Sequence, residues 1–298
     1  MAIPETQLET WAKQGSVTQS STTYGTIKNA LESNDAGYAG KDYQVFLQGS
    51  YCNDTNIWSE SDVDIVMRLD STFQYDIAGL SDVEKNWFNT AFAGSASYSY
   101  SAFKDDITKR LESKFGDDVK PGTKAIKVKA NGSRRNSDVV VALEFRRYQN
   151  FLSLTNQRYT TGICFYTSSW NQIINYPKQH SENCTAKHKA TLSYFKPMVR
   201  ILKNARVKLA NDGKIGNLAI APSYFLEGLM YNVPNYLFTG RYQDVMVAAL
   251  NWIVEQDRGK FVTANEQYYL LGNSAVTWPA ANCDAFLNAI IELWNNWN

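Results

Sequence analysis

The chain has 298 residues, and 44% of them are hydrophobic, so it is long enough for one large domain or two lobes and is not globally disordered. Its 30 basic and 29 acidic residues nearly cancel, which argues against a protein that coats long nucleic acid but not against one that binds small phosphorylated molecules. The N-terminal residues predict no signal peptide, no apolar run is long enough to span a membrane, and the four scattered cysteines suit reduced thiols, so we expect a cytoplasmic protein.

The first 170 residues are rich in the patterns of strands. After a Ser/Thr-rich start, Tyr24, Ile27 and Leu31 recur at the spacing of an amphipathic helix. Short runs of β-branched residues predict strands, and Gly116 follows a helical pattern as a C-cap does. In chain order we predict a helix at 20–32, strands at 43–49 and 62–69, helices at 84–94 and 101–115, and strands at 124–130, 137–148 and 160–166.

Helical patterns dominate the rest of the chain. Residues 184–211 predict one long helix with a kink near Pro197, because proline interrupts helical hydrogen bonding. Further helices are predicted at 221–233, 244–256 and 282–297. This order predicts an α+β fold, in which a lobe of residues 1–170 packs against a helical lobe of residues 171–298 and the active site lies in the cleft.

Two aspartates that flank one valine open the strand predicted at 62–69. Side chains alternate along a strand, so Asp62 and Asp64 share one face while Val63 points to the core. Asp138 opens the strand at 137–148 in the same way. If the two strands are neighbours, three carboxylates meet at one edge of the sheet, and their repulsion calls for a cation. Oxygen ligands on a rigid sheet suit Mg²⁺; the alternative is a set of solvated acids at strand ends.

A Gly-Ser pair precedes these acids in the chain. Gly49 allows the backbone to approach a phosphate closely, and the hydroxyl of Ser50 can donate to it. By itself such a pair is usually only a turn. Together with the three aspartates, the pair predicts a site for a phosphorylated substrate.

The residues "GS", "SDVDIVM" and "SDVV" resemble the pattern of the polymerase-β-type nucleotidyltransferases, in which a GS or GG pair precedes two acids on one strand and a third acid elsewhere. The later stretches "NYPKQHSENCTAKHKATLSYFKPMVRILKNAR" and "IAPSYFLEGLMYNVP" are similar to the bacterial cGAS/DncV-like enzymes, the CD-NTases. The similarity covers residues 20 to 295, and the compact chain resembles the smaller, E-type members.

The resemblance implies a fold and an activity. Residues 1–170 would form a polymerase-β-like catalytic lobe with a mixed sheet, and the N-terminal helix can extend across both lobes. The enzyme would make a cyclic di- or oligonucleotide from NTPs (ATP, with UTP, CTP or GTP) for anti-phage signalling, releasing pyrophosphate. Asp62, Asp64 and Asp138 would hold two Mg²⁺ ions, for which Mn²⁺ can substitute. A separate effector would read the product, and we expect a monomer that binds neither membranes nor long nucleic acid.

The resemblance also implies nucleotide contacts. Gln48, Gly49 and Ser50 match the glycine motif, and Lys203 stands where the family has a lysine that binds triphosphate. Ser223 and Tyr224 match a serine that contacts phosphate and a tyrosine that stacks on the base. The alternatives are a solvated lysine on its helix face and, for the Ser-Tyr pair, a helix start with a core tyrosine.

Other polar residues have structural alternatives that we favour. His180, Cys184 and His188 recur every four residues and could bind Zn²⁺, with Cys164 as a fourth ligand, but we expect no zinc requirement. Two arginine pairs could steer phosphates, although a solvated turn and a salt-bridged strand end explain them better: Arg134 with Arg135, and Arg146 with Arg147.

Two other functions fit the same residues. One is a different nucleotidyltransferase, such as an oligoadenylate, tRNA-end or protein- or antibiotic-modifying enzyme. The other is a catalytically silent nucleotide-binding module that has kept the fold. The three acids argue against the silent module, because unneutralised clustered carboxylates are costly.

Overall fold

The computed structural model describes residues 2–60 and 62–297, which fall into two compact units. The helical unit comprises residues 2–17, 48–60 and 178–297, and the sheet unit comprises residues 18–47 and 62–177. Both units are therefore built from stretches that are separated along the chain. The lobe boundary at residue 170 stays a prediction.

The sheet unit is built on one mixed sheet of seven strands, as the α+β prediction requires. The strands are β1 (Tyr43–Leu47), β2 (Val63–Asp76), β3 (Val119–Pro121), β4 (Ile126–Val128), β5 (Ser137–Ser153), β6 (Asn156–Tyr166) and β7 (Gln172–Asn175). Strands β2 and β5 are parallel, and the other paired strands are antiparallel. Strand β5 is long enough to pair with β4 along its first residues and with β6 along the rest.

Three helices accompany this sheet in chain order: α2 (Thr18–Leu31), α4 (Asp82–Ala91) and α5 (Tyr100–Phe115). Helix α2 confirms the sequence prediction, since Ile27 and Leu31 are fully buried on one face. Helix α4 begins with a capping box between Ser81 and Glu84, and it packs Phe88 against aromatic residues of β5. These helices cover the apolar side chains of the sheet.

The helical unit contains α1 (Glu5–Ala12), the single turn α3 (Gly49–Cys52), α6 (Pro177–Ala190), α7 (Phe195–Asn211), α8 (Ser223–Asn232), α9 (Tyr242–Glu255) and α10 (Ala280–Asn295). Helix α7 lies at its centre, and its apolar residues Met198, Val199, Ile201 and Leu202 are completely buried. In the part of the chain that is described, no helix is both long and apolar enough to cross a membrane.

The prediction of one helix over 184–211 is wrong. The chain forms two helices, α6 and α7, and the turn between them includes Leu192 and Ser193 with positive φ angles of 49° and 70°. Pro197 lies in the first turn of α7, where its missing N–H is not needed. The interruption therefore comes from the left-handed turn before α7 and not from a kink at the proline.

Candidate active site

The three aspartates predicted to act together lie on, or immediately before, the adjacent parallel strands β2 and β5 of the sheet unit. Asp64 on β2 is the direct register partner of Asp138 on β5, so the two Cα atoms face each other across neighbouring strands. Asp62 comes immediately before β2 and is exposed, whereas Asp64 and Asp138 are half-buried. Val63 is completely buried, which confirms the predicted alternation of faces.

The electrostatics around Asp138 favour a positive neighbour. Burial raises the pKa of Asp138 above its ordinary value, Lys127 opposes this increase, and the charge of Asp62 adds to it. Lys127 is the register partner of Asp138 on β4. Bringing a divalent cation to these carboxylates would remove the repulsion between them.

Oxygen donors at the edge of a rigid sheet fit a hard divalent cation, since Mg²⁺ prefers carboxylates and keeps several waters. Among the described residues, the three aspartates do not form a group whose ligand atoms all lie within 4.8 Å of one another. Asp64 and Asp138 are nevertheless register partners on adjacent strands, and Asp62 is near enough for its charge to act on Asp138. The chemistry of the donor set therefore fits Mg²⁺ or Mn²⁺.

The predicted Gly-Ser pair lies in the helical unit, in the short turn α3. Gly49 has a φ of 69°, a left-handed conformation that glycine adopts without strain, and Gln48 precedes it in an extended conformation. The carbonyl of Ser50 accepts a hydrogen bond from the backbone N–H of Thr55 at 2.9 Å. This hydrogen bond folds the segment after the pair back onto it.

Lys203 does not lie on a solvated helix face. It is completely buried on α7, where its ammonium donates to the carbonyl of Thr55 at 3.0 Å and lies 3.4 Å from the carboxylate of Glu60. Burial lowers the pKa of Lys203, while Glu60 and then Glu227 oppose that shift. The alternative of a solvated lysine is thus wrong, and the predicted contact with triphosphate stays a prediction.

Glu60 accepts hydrogen bonds from two groups that the sequence analysis did not connect to it. Arg206 forms a short ion pair with one carboxylate oxygen, and the hydroxyl of Ser223 donates to the other at 3.2 Å. Two predicted nucleotide contacts, Lys203 and Ser223, therefore meet at the same carboxylate. Both side chains therefore already have a carboxylate partner within the helical unit.

Glu227 is the centre of a second buried polar cluster in the helical unit. Its carboxylate accepts hydrogen bonds from Thr55 and from Asn53 (3.1 Å), and lies 2.5 Å from Nε2 of His180. Burial alone would raise the pKa of Glu227, but His180, Thr55 and Lys203 outweigh it and lower the pKa below the ordinary 4.5. The cluster joins α6 and α8 to the segment that follows the Gly-Ser pair.

Tyr224, the predicted base-stacking residue, is only partly buried. Its ring stacks on His180 with a centroid distance of 4.8 Å and an interplanar angle of 23°. Its hydroxyl accepts a hydrogen bond from Nδ2 of Asn265 at 2.9 Å. Tyr224 is therefore not a fully buried core residue, because one face of its ring packs on His180 while part of the side chain stays exposed.

The histidine and cysteine pattern is only partly assembled in the structure. His180 and Cys184 are buried together, but the third group near them is Glu227 and not His188. The Nε2 of His180 already lies 2.5 Å from Glu227, whereas two ligands of one tetrahedral zinc ion stand roughly 3.3 Å apart. The geometry is that of a direct hydrogen bond. Cys164 belongs to the sheet unit, where its thiol accepts from Gln172.

The arginine pairs have structural partners within the sheet unit, as the favoured interpretation predicts. The turn is exposed at residues 131–133, as predicted, while the side chain of Arg134 is mostly buried and bonds to Asp118, and Arg135 donates to Gln19. On β5, Arg146 pairs with Glu144, and Arg147 contacts Asp76 at 3.4 Å. Glu144 stands six residues beyond Asp138 on the same strand, a distance of about 20 Å.

Sequence reasoning missed Glu60 and Glu227, although one of them left a signal. Glu227 is the single acid in the apolar helix sequence "SYFLEGLMYN", and a carboxylate in such a helix needs partners if it is buried. No comparable signal marks Glu60, which lies in the polar loop before Asp62. Its partners on α7 and α8 are more than 140 residues away in the chain.

Comparison with known proteins supports the resemblance found in the sequence. Residues 182–295 match the family model described as the cGAS/DncV-like nucleotidyltransferase C-terminal helical domain. The chain is 36% identical to the cyclic UMP-AMP synthase of Rhodothermus marinus, over 100% of this chain and 99% of the relative. It is also 35% identical to the cyclic nucleotide synthase CdnE01 of Staphylococcus haemolyticus, over the full length of both.

Solved structures give the same result at the level of the fold. The R. marinus CdnE c-UMP-AMP synthase with Apcpp and Upnpp superposes with a TM-score of 0.88 at 35% identity, covering 99% of this chain and 98% of that one. The CdnE cyclic dinucleotide synthase of Elizabethkingia meningoseptica with GTP and Apcpp has a TM-score of 0.76 at 31% identity, covering 98% of each chain.

Replacing Lys203 tests its structural role. Lys203→Met removes the ammonium that Thr55 and Glu60 contact, and we expect it to lower the free energy of unfolding by about 1–3 kcal/mol. The measurement is denaturant unfolding beside Lys208→Met. Lys208 lies on the same helix, half-buried, and pairs with Asp212 within its own helical turn. Its loss should cost less than about 0.5 kcal/mol, and an equal effect of both changes would contradict the buried role of Lys203.

The lowered pKa of Glu227 predicts a pH dependence of stability. Because the folded pKa lies below the unfolded value of 4.5, the carboxylate stabilises the fold above that pH and loses this contribution as the pH falls. We expect Glu227→Gln to be less stable by about 3 kcal/mol at pH 7 and to lose less stability than wild type below pH 4.5. Thermal melts from pH 7 to 3 measure this. Glu292→Gln, an exposed acid of α10, should keep the wild-type acid slope.

Proposed function

We propose that this chain, which belongs to the cGAS/DncV-like nucleotidyltransferases of the E type, joins NTPs into a cyclic di- or oligonucleotide with release of pyrophosphate. The family makes cyclic nucleotides for bacterial anti-phage signalling. Similarity over the whole chain to several such synthases favours this activity over tailing enzymes and over a silent binding module.

The observation that carries the proposal is the register of β2 and β5, which sets Asp64 beside Asp138 with Asp62 one step before the strand. Clustered acids of this kind are expensive unless they bind a cation. We propose that Asp62, Asp64 and Asp138 hold two divalent cations, Mg²⁺ or Mn²⁺. When bound, these ions neutralise the triphosphate and make a ribose hydroxyl a better nucleophile.

The residues of the chain have distinct tasks in this reaction. A ribose hydroxyl loses its proton to water and its oxygen bonds to the α-phosphorus, the bond from that phosphorus to the bridging oxygen breaks, and pyrophosphate leaves. The segment of residues 48–50 presents backbone and hydroxyl donors to the phosphates. Lys203 and Ser223, which contact Glu60 in this structure, add further donors to the phosphates. Tyr224 stacks on the base. A second transfer between the joined nucleotides closes the ring.

The substrates are proposed as NTPs because related synthases were solved with Apcpp, Upnpp and GTP. Both solved relatives contain the ATP analogue Apcpp, so we assign ATP as one substrate. The relatives' names include UMP-AMP, dipurine and dipyrimidine products, so the second substrate is left to UTP, CTP or GTP. A separate effector that reads the product, a monomeric state and a cytoplasmic location stay predictions.

The proposed activity can be tested by incubating the purified chain with radiolabelled NTPs and MgCl₂, then with phosphatase. We expect a small product that resists phosphatase, because a cyclic nucleotide has no terminal phosphate, and its mass identifies the bases. EDTA should abolish the product and added Mn²⁺ should restore it, whereas a zinc-selective chelator should have no effect. A ladder of linear products would instead indicate a tailing enzyme, and no product at all would refute the proposal.

The role of the acids is tested by Asp138→Asn. It removes one carboxylate charge while keeping the shape, so we expect turnover to fall by at least about a hundredfold and the melting temperature to stay equal or rise slightly. Asp117→Asn, at an exposed site of the same unit, is the control and should keep full activity. Full activity of Asp138→Asn would mean that the third metal ligand is misassigned. Glu144 is then a poor substitute, because Arg146 already neutralises it.

A further inference from the structure

We propose that His180 is a positioning residue for the nucleobase: its ring supports Tyr224 from behind, and Glu227 fixes the plane of that ring. The inference deepens the proposed function and rests on its assignment of Tyr224 to base stacking. The base would then meet a tyrosine ring whose orientation is set before the nucleotide arrives, and less ordering would be needed on binding.

Tyr224 is held at two separate points. Its ring lies nearly parallel to the imidazole of His180, with centroids 4.8 Å apart, and its hydroxyl accepts from Asn265 at 2.9 Å. One contact restrains a face of the ring and the other restrains its far end. Because Tyr224 is only partly buried, a ring held in this way can still offer area to a flat ligand.

His180 is in turn fixed by a carboxylate that cannot move freely. Its Nε2 lies 2.5 Å from a carboxylate oxygen of Glu227, and because a carboxylate accepts hydrogen bonds, the two groups match when Nε2 donates. Glu227 is itself bound by Thr55 and Asn53. The imidazole plane is therefore set by Glu227, whose own position is held by Thr55 and Asn53.

Packing alone does not call for a histidine at this position. His180 is 3% exposed, and its Nδ1 is buried without a hydrogen-bond partner among the described residues, which is unfavourable. A phenylalanine would fill a similar space with no such atom. What histidine adds is the Nε2–H donor to Glu227, and hence a fixed orientation for the ring behind Tyr224.

The proposed support acts on the base and not on the phosphates. Stacking on an aromatic ring is tolerant of base identity, because every base has a π face. Loss of the support should therefore weaken binding of each NTP by a similar factor. It should leave binding of inorganic tripolyphosphate unchanged, because that ligand has no base.

The experiment compares binding of Apcpp and of inorganic tripolyphosphate, each with Mg²⁺, by calorimetry on the full chain. His180→Gln keeps an amide donor for Glu227 but has no ring. We expect it to bind Apcpp about three- to tenfold more weakly and tripolyphosphate as wild type does. Tyr224→Ala removes the stacking ring itself and is the reference for a complete loss of stacking. Its affinity for Apcpp should fall about tenfold or more, and its affinity for tripolyphosphate should not change. His188→Gln, two turns further along α6, is the matched control and should match wild type for both ligands.

Two results would overturn the inference. One is wild-type Apcpp binding by His180→Gln, and the other is an equal loss for Apcpp and tripolyphosphate, which would indicate a general structural effect. If His180→Gln does not fold, His180→Phe combined with Glu227→Gln keeps a ring and removes the buried charge. Because that double variant keeps a ring behind Tyr224 but loses the hydrogen bond that fixes its plane, it should bind Apcpp about two- to fivefold more weakly than wild type, and either wild-type binding or a loss as large as that of Tyr224→Ala would reject the inference.

The binding readout separates this inference from the proposed function. A wild-type chain that binds Apcpp but yields no cyclic product fails the proposed function alone. If Tyr224→Ala binds Apcpp as tightly as wild type does, both the base site at Tyr224 and its support by His180 are refuted.

Discussion

The parallel pairing of β2 with β5 is the constraint on which the candidate chemistry depends. Parallel strands that start at the same edge bring their first residues side by side, so the acids that open each strand become neighbours. A slip of one residue would turn Asp64 or Asp138 toward the core. Full burial of Val63, Ile65 and Val139 on the other face makes such a slip expensive and holds the carboxylates in place.

The helical unit meets a different constraint: the backbone carbonyls of the segment that follows the Gly-Ser pair need hydrogen-bond donors. The carbonyls of Asp54 and Thr55 accept hydrogen bonds from Arg200 and Lys203 on α7, whose long side chains are almost completely buried. Buried carbonyls need such donors, because unpaired polar groups are costly away from water. Glu60 and Glu227 offset the charge of Lys203, and Asp54 offsets that of Arg200, so the buried donors that satisfy the backbone also have acidic partners.

This arrangement is consistent with a family whose members make different products on one fold. Under the proposed function, the three acids and the phosphate donors would act on parts that all NTPs share, and a stacking tyrosine would accept any base. Discrimination between bases must therefore come from other polar contacts at the base edge, which can change without disturbing the acids or the buried ion pairs. Relatives that share about a third of their residues with this chain accordingly carry names with purine, pyrimidine and mixed products.

The sequence alone predicted the mixed α+β class, most of the elements and the positions of Asp64 and Asp138 near strand starts, because these follow from local patterns: alternation along a strand and helical spacing. It did not determine the break between α6 and α7, which depends on a left-handed turn at Leu192 and Ser193 that no local residue preference indicates. Nor did it determine that Lys203 is buried beside Glu60, or that His180 lies between Glu227 and Tyr224. Those contacts join residues 40 to 150 positions apart, and only tertiary packing decides which distant charges are buried together.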